Sequence, residues 1–220
     1  GMWYQGPDGE AGGGPYSPAG WDNYIQSNYQ DIGAISSFIE RGMPTSLHYV
    51  PKDKIVLTED ILWAEPSLPE MLFIPIVKGA QTNPLKEINS IMLTESAARD
   101  IFGDDEPVGQ ILTVSNMFAT GGQKVDLLVT AVMKDFPSNT HLVPKYTANI
   151  FALKPFNENL ENRLNTSMGN DNNAFWSASF FICNDESKIE TIMADLQKRA
   201  NQINLGQNAE FKLKPLVRKI

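Results

Sequence analysis

One cysteine and two histidines are all the thiol and imidazole that the chain's 220 residues contain. Cys183 alone cannot form an internal disulfide, and with His48 and His141 it falls short of a Cys/His zinc cage. Positive charge is also scarce. The 18 Lys and Arg against 26 Asp and Glu leave a net charge of −8, which repels phosphate backbones and anionic headgroups and argues against a nucleic-acid partner. No apolar run reaches the roughly 20 residues of a membrane helix, and no basic segment with a hydrophobic stretch opens the chain. Gly1 and Met2 read as an appended start, so membrane segments are expected to lie outside the sequence given.

The motifs of common chemistries are missing as well. No glycine-rich phosphate loop precedes a Lys, and no Ser sits in a nucleophile elbow. The acidic stretch "GDDEPVG" lacks the alternating oxygens and distal Glu of a calcium loop, and "GNDNN" at 169–173 has no second acidic segment beside it. Cys183 falls in an apolar, strand-like run and reads as an inert thiol. His48 and His141 read as strand-end or turn groups. The sequence therefore assigns no catalytic, cofactor-binding or metal-binding residue, and the expectation is a protein that is not an enzyme.

What is present is a folding composition. Apolar residues make up 42% of the chain, enough to build a hydrophobic core. The 16 Gly and 14 Pro imply short elements with many turns. A loop is expected over residues 6–20. A helix follows, with Pro18 in its first turn and Trp21, Tyr24, Ile25 and Tyr29 at helical spacing. Alternating residues through Ile32 to Ile39 predict a strand. Short strands are expected around Glu59 and Asp60 and at "IPIVKG", with a helical turn or two opened by Ser67.

The clearest local grammar is "NSIMLTESAARDIFGDDEPVG". Ile91 and Leu93 predict a strand, Thr94 caps a helix over Glu95 to Phe102, and Gly103 ends it. A turn through Pro107 and Gly109 leads to the strand "QILTV", and Gly121 with Gly122 closes a hairpin to "KVDLLVTAVMKDF". Further on, "YTANIFAL" and "AFWSASFFICND" read as strands flanking an asparagine-rich surface excursion. Ser187 and Glu190 are placed as a capping box before a helix striped by Ile189, Ile192, Met193 and Leu196. Phe211 and Leu213 begin a final strand. Both chain ends thus read strand, helix, strand around a middle of short strands, which predicts an α+β fold of two lobes with a split βαβ lobe from the ends.

The run "SIMLTESAARDIFGDDEPVGQILTV", followed by "LLVTAVMKDFPSNTHL", resembles the signature of the extracytoplasmic core domain of MacB/FtsX-type ABC transporter permeases. The residues carrying the likeness are Thr94, Glu95, Phe102, Gly103, Pro107, Gly109, Asp135, Pro137, Asn139 and His141. The resemblance implies a porter-like lobe from residues 1–53 and 146–220 and an inserted, smaller, mixed β/α sabre-like lobe from 54–145. It implies a non-catalytic domain without cofactor at the periplasmic, extracytoplasmic face of the cytoplasmic membrane. Its partners would be the permease's own transmembrane helices, a cytoplasmic ATPase acting indirectly, a periplasmic adaptor or lipoprotein, and a homodimer or pseudo-dimer mate. Pro51 and Pro144 mark the expected crossings between lobes and are candidate hinges. The alternative is a stand-alone extracytoplasmic domain that binds a ligand or protein in its own right.

Overall fold

The computed structural model describes residues 2–5, 11–14, 17–18, 21–39, 44–117, 120–137, 144–156, 175–200 and 210–213. The chain divides into two compact units, Gly1–Ser37 with Glu161–Ile220, and Phe38–Leu160. The crossings therefore fall at 37/38 and 160/161, not at the expected 53/54 and 145/146. The inserted unit, expected to be the smaller, is the longer of the two.

The first unit opens with β1 (Met2–Gln5), β2 (Ala11–Gly14) and β3 (Ser17–Pro18), followed by α1 (Trp21–Asn28) and all but the last two residues of β4 (Ile32–Ile39). Part of the expected glycine-rich loop is thus strand, with β2 lying antiparallel to β1. Strand pairing uses backbone groups, which glycine supplies as well as any residue. Pro18 lies in β3 rather than in the first turn of the helix.

The inserted unit runs β5 (Thr45–Tyr49), a 3-10 turn at Val50–Lys52, β6 (Lys54–Thr58), β7 (Ile61–Ala64), α2 (Leu68–Met71) and β8 (Ile76–Gly79). It continues with β9 (Ser90–Thr94), α3 (Glu95–Phe102), β10 (Ile111–Asn116), β11 (Lys124–Met133), β12 (Tyr146–Asn149) and a 3-10 helix at Ile150–Phe156. Its strands lie in the order β7-β12-β9-β11-β10-β5-β6, with β8 beside β11. Pairing is mixed, β9 being parallel to β11 and β12 parallel to β7. Strands β7, β9 and β12 are buried at every position, as expected where both faces of a sheet are covered. At the other end, β5 and β10 alternate between buried and partly open positions, so one face there looks outward. The strand expected across "YTANIFAL" ends at Asn149, whose side-chain oxygen accepts the Phe151 N–H at 2.9 Å and turns the chain into the 3-10 helix.

The first unit resumes with β13 (Phe175–Cys183), a 3-10 turn at Glu186–Lys188, α4 (Ile189–Ala200) and β14 (Glu210–Leu213). Its strands form two groups, β14-β1-β2 and β3-β13-β4. Ile25 of α1 and Ile192 and Leu196 of α4 are buried. The expected Ser187/Glu190 capping box is replaced by Asp185, which accepts from the Ser187 N–H at 3.0 Å and the Ser187 hydroxyl at 2.7 Å. An Asp two residues before a free N–H needs no reciprocal Glu.

Candidate functional site: a capped strand-helix-strand motif

The residues singled out around α3 form one packed assembly. Thr94 ends β9 in extended backbone, and its hydroxyl oxygen accepts the Ala97 N–H at 3.3 Å, satisfying one of the open donors of the first helical turn. Glu95 is the first helical residue, favourably placed at the positive end of the helix dipole. A second acceptor comes from far along the chain. Asp135, just past β11, accepts from the Ser96 N–H at 3.1 Å and the Ser96 hydroxyl at 2.8 Å, with the Arg99 guanidinium 3.9 Å away. Burial pushes the Asp135 carboxyl up, but the Ser96 bonds, the Thr94 hydroxyl and the Arg99 charge together hold it below the ordinary range.

The far end of α3 is closed just as locally. The Gly103 N–H donates to the Arg99 carbonyl at 2.9 Å, and Gly103 takes φ 64, a conformation in which a side chain would be strained. Phe102, 1% exposed, meets the Tyr49 ring edge-on at 4.7 Å. Lys52 reaches the Phe102 carbonyl at 3.3 Å and Asp105 at 2.6 Å. The acidic turn beyond it is held by its backbone: Gly109 N–H donates to Val129 O at 2.8 Å, and Pro107 O accepts from Gln110 N–H at 3.2 Å. Glu106 pairs with Lys78. These carboxylates are used in fixing the turn. Among the described residues no group of three or more His, Cys, Asp and Glu could hold a metal ion.

Pro137 lies exposed just beyond Asp135, while Asn139, His141 and the 169–173 segment fall outside the described residues. Pro51 is exposed in the tight turn joining the paired strands β5 and β6, and Pro144 is buried immediately before β12. Both lie within Phe38–Leu160, so neither sits at a crossing between units. His48 faces outward from β5 with Nε2 3.0 Å from Asp53 Oδ1. Cys183 is half-buried, its thiol donating to the Asp185 carbonyl at 3.1 Å.

A second constellation, in the first unit, was not read from the sequence. The Tyr24 and Tyr29 hydroxyls both donate to Asp195 Oδ2 at 2.6 Å. Arg199 Nε lies 3.4 Å from the same oxygen, and its guanidinium stacks 3.7 Å over the Tyr24 ring. The two tyrosine bonds hold the Asp195 carboxyl below its ordinary range, while burial and the carboxylate raise both tyrosines. The available signals were the i, i+4 spacing of Asp195 and Arg199 and the tyrosines in and just after α1, which do not reveal that the two helices meet.

Comparison with solved structures places the fold. A domain of a protein named as a permease, from Porphyromonas gingivalis, superposes with a TM-score of 0.67 at 15% identity, covering 99% of this chain and 88% of the other. The periplasmic region of MacB from Actinobacillus actinomycetemcomitans matches with a TM-score of 0.58 at 13% identity, over 96% of this chain and 87% of that one. The chain has the MacB periplasmic fold. The extracellular domain of the noncanonic ABC-type transporter YknZ from Gram-positive bacteria shares it, at a TM-score of 0.56 and 14% identity over 97% and 98% of the two chains. Neither a family model nor a curated protein sequence matches. At these identities the likeness to MacB is one of fold, α+β as expected. No helix among the described residues is long and apolar enough to cross a membrane.

Proposed function

We propose that this chain is the extracytoplasmic domain of an ABC transporter permease and that its work is mechanical, passing movement of the permease's membrane helices to a substrate or a periplasmic partner. The observation that carries the reading is the likeness to a permease domain over 99% of the chain. The organisation of the chain supports it: the unit built from both chain ends is the one that flanking membrane helices would pull on, and the inserted unit follows through two chain crossings. On this reading the domain lies at the periplasmic face of the cytoplasmic membrane and performs no chemistry. ATP is hydrolysed on a cytoplasmic subunit or domain, and an adaptor or lipoprotein is the outer partner.

Two measurements test the reading. The gene should encode an apolar segment of roughly 20 residues on each side of this chain; its absence on both sides overturns the permease assignment. In the full transporter, a flexible glycine-serine segment inserted between Leu160 and Glu161 should loosen one of the two crossings. Transport is expected to fall while ATP binding persists. Undiminished transport would overturn mechanical transmission.

A further inference from the structure

Exposed aliphatic side chains scattered singly over a surface need no explanation, whereas several on one face mark a contact site. Strands β6, β5, β10 and β11 of the inserted unit lie side by side in that order. Their registers align Ile55 with His48, Thr113 and Asp126, and Leu57 with Ser46, Ser115 and Lys124. In the next row Ile111 stands opposite Leu128. All these positions are open or half-open, while the intervening Leu47, Tyr49, Leu112, Val114 and Leu127 are buried. One face of the four strands is therefore core, and the other looks outward with Ile55 56% exposed, Leu57 79%, Ile111 53% and Leu128 40%. Val50 and Met117, also exposed, follow directly on β5 and β10 at opposite ends of this face.

Backbone and charge together constrain the occupant. Strands β5, β10 and β11 are paired on both sides, so the face offers side chains and no free ladder of N–H and C=O groups. A segment laid on it must satisfy its own backbone, as an α-helix does and a single extended strand does not. On or beside this face stand three exposed carboxylates, Asp53, Glu59 and Asp126, against one exposed ammonium, Lys124. Lys54 falls on the core side by register, opposite the buried Tyr49, Lys52 is held by Asp105, and His48 is bonded to Asp53. We propose that the outward face of β6-β5-β10-β11 is the docking surface for an amphipathic helix of a partner protein, whose apolar stripe covers Ile55, Leu57, Ile111 and Leu128 and whose flanking Lys or Arg residues meet Asp53, Glu59 and Asp126. Crossing from β6 to β11 takes three strand spacings, about 14 Å, or roughly ten residues of helix. The proposal deepens the mechanical reading, and rests on it for the existence of an outer partner, by giving that partner's contact chemistry.

Fluorescence anisotropy of the 220-residue chain with a labelled synthetic helix of about 18 residues, leucine along one stripe and lysine on its flanks, tests it. The parent should bind this peptide, less tightly as salt is raised. A scrambled peptide of the same composition but without the stripe, and one with Gln for every Lys, should each bind about tenfold or more weakly. On the protein, Ile111→Thr with Leu128→Thr should weaken binding about tenfold or more, and so should Asp53→Asn with Asp126→Asn; Asn suits the φ of 48 at Asp53. Ile55→Thr with Leu57→Thr, on the outermost strand, repeats the apolar test should the first pair fail to fold. Phe73→Ser removes an exposed apolar group outside the four strands and should leave binding unchanged. The absence of binding overturns the proposal. So does binding indifferent to these face substitutions, equal binding of the scrambled peptide, or an equal loss in Phe73→Ser. None of these outcomes bears on the transport reading, which is decided by the apolar segments flanking the chain in its gene.

Discussion

Ser96 binds the Asp135 carboxylate twice, through its backbone N–H and its hydroxyl, across 39 residues of sequence. The start of α3 is therefore capped from two directions, by Thr94 immediately before it and by Asp135 from the end of β11. Thr94→Ala and Asp135→Ala are each expected to lower stability by about 1 kcal/mol in urea denaturation. The double variant should show a coupling of about 0.5 kcal/mol or more, because the two acceptors serve adjacent donors of one helical turn. Strict additivity would mean that they act independently.

Phe102 is the apolar anchor at the other end of the helix, buried against Tyr49. Phe102→Ala is expected to cost about 3–5 kcal/mol, the range for truncating a buried aromatic. Phe102→Leu should cost much less. A neutral Phe102→Ala would contradict the packing of α3 described above.

Gly79 lies where β8 meets an irregularity in β11. A Cβ built on it would stand 2.3 Å from the Thr130 carbonyl oxygen, and its φ of +88 is itself hostile to a side chain. That carbonyl accepts the Ala80 N–H at 3.0 Å, so it has little freedom to retreat. Gly79→Ala is expected to destabilise by about 1–3 kcal/mol, with thermal unfolding as the check. Gly121→Ala, where nothing stands within 4 Å of the added carbon, should be milder because only the backbone strain remains.

Asp195 gives the first unit a defined response to acid. Its carboxyl is depressed mainly by the bonds from Tyr24 and Tyr29, whereas an unfolded Asp titrates near ~3.9. Between the two values the unfolded chain binds more protons than the folded one, so stability rises with pH there. The contribution is complete above about pH 4 and is lost as pH falls through the folded value. Asp195→Asn should flatten the dependence of Tm on pH in the acid range, and Tyr24→Phe combined with Tyr29→Phe should do the same. An unchanged acid slope in both variants would show that the network does not influence the titration.

What the sequence determined was local. Thr94, Gly103 and the eight residues between them specify a helix with both ends, because each cap is a bond spanning three or four residues. The alternation in Ile32–Ile39 and the split of "KIVLTEDILW" into β6 and β7 were readable for the same reason. Only the tertiary structure decided that Asp135 reaches Ser96, that α1 and α4 meet at Asp195, and that Pro51 turns a hairpin rather than joining two lobes. Strand β2 belongs here too, since a run of glycines carries no side-chain period and becomes strand only when β1 offers its backbone. Bonds between residues 39 or 171 positions apart depend on which elements pack together. That choice is made by the summed burial of many side chains, and no short stretch of sequence contains it.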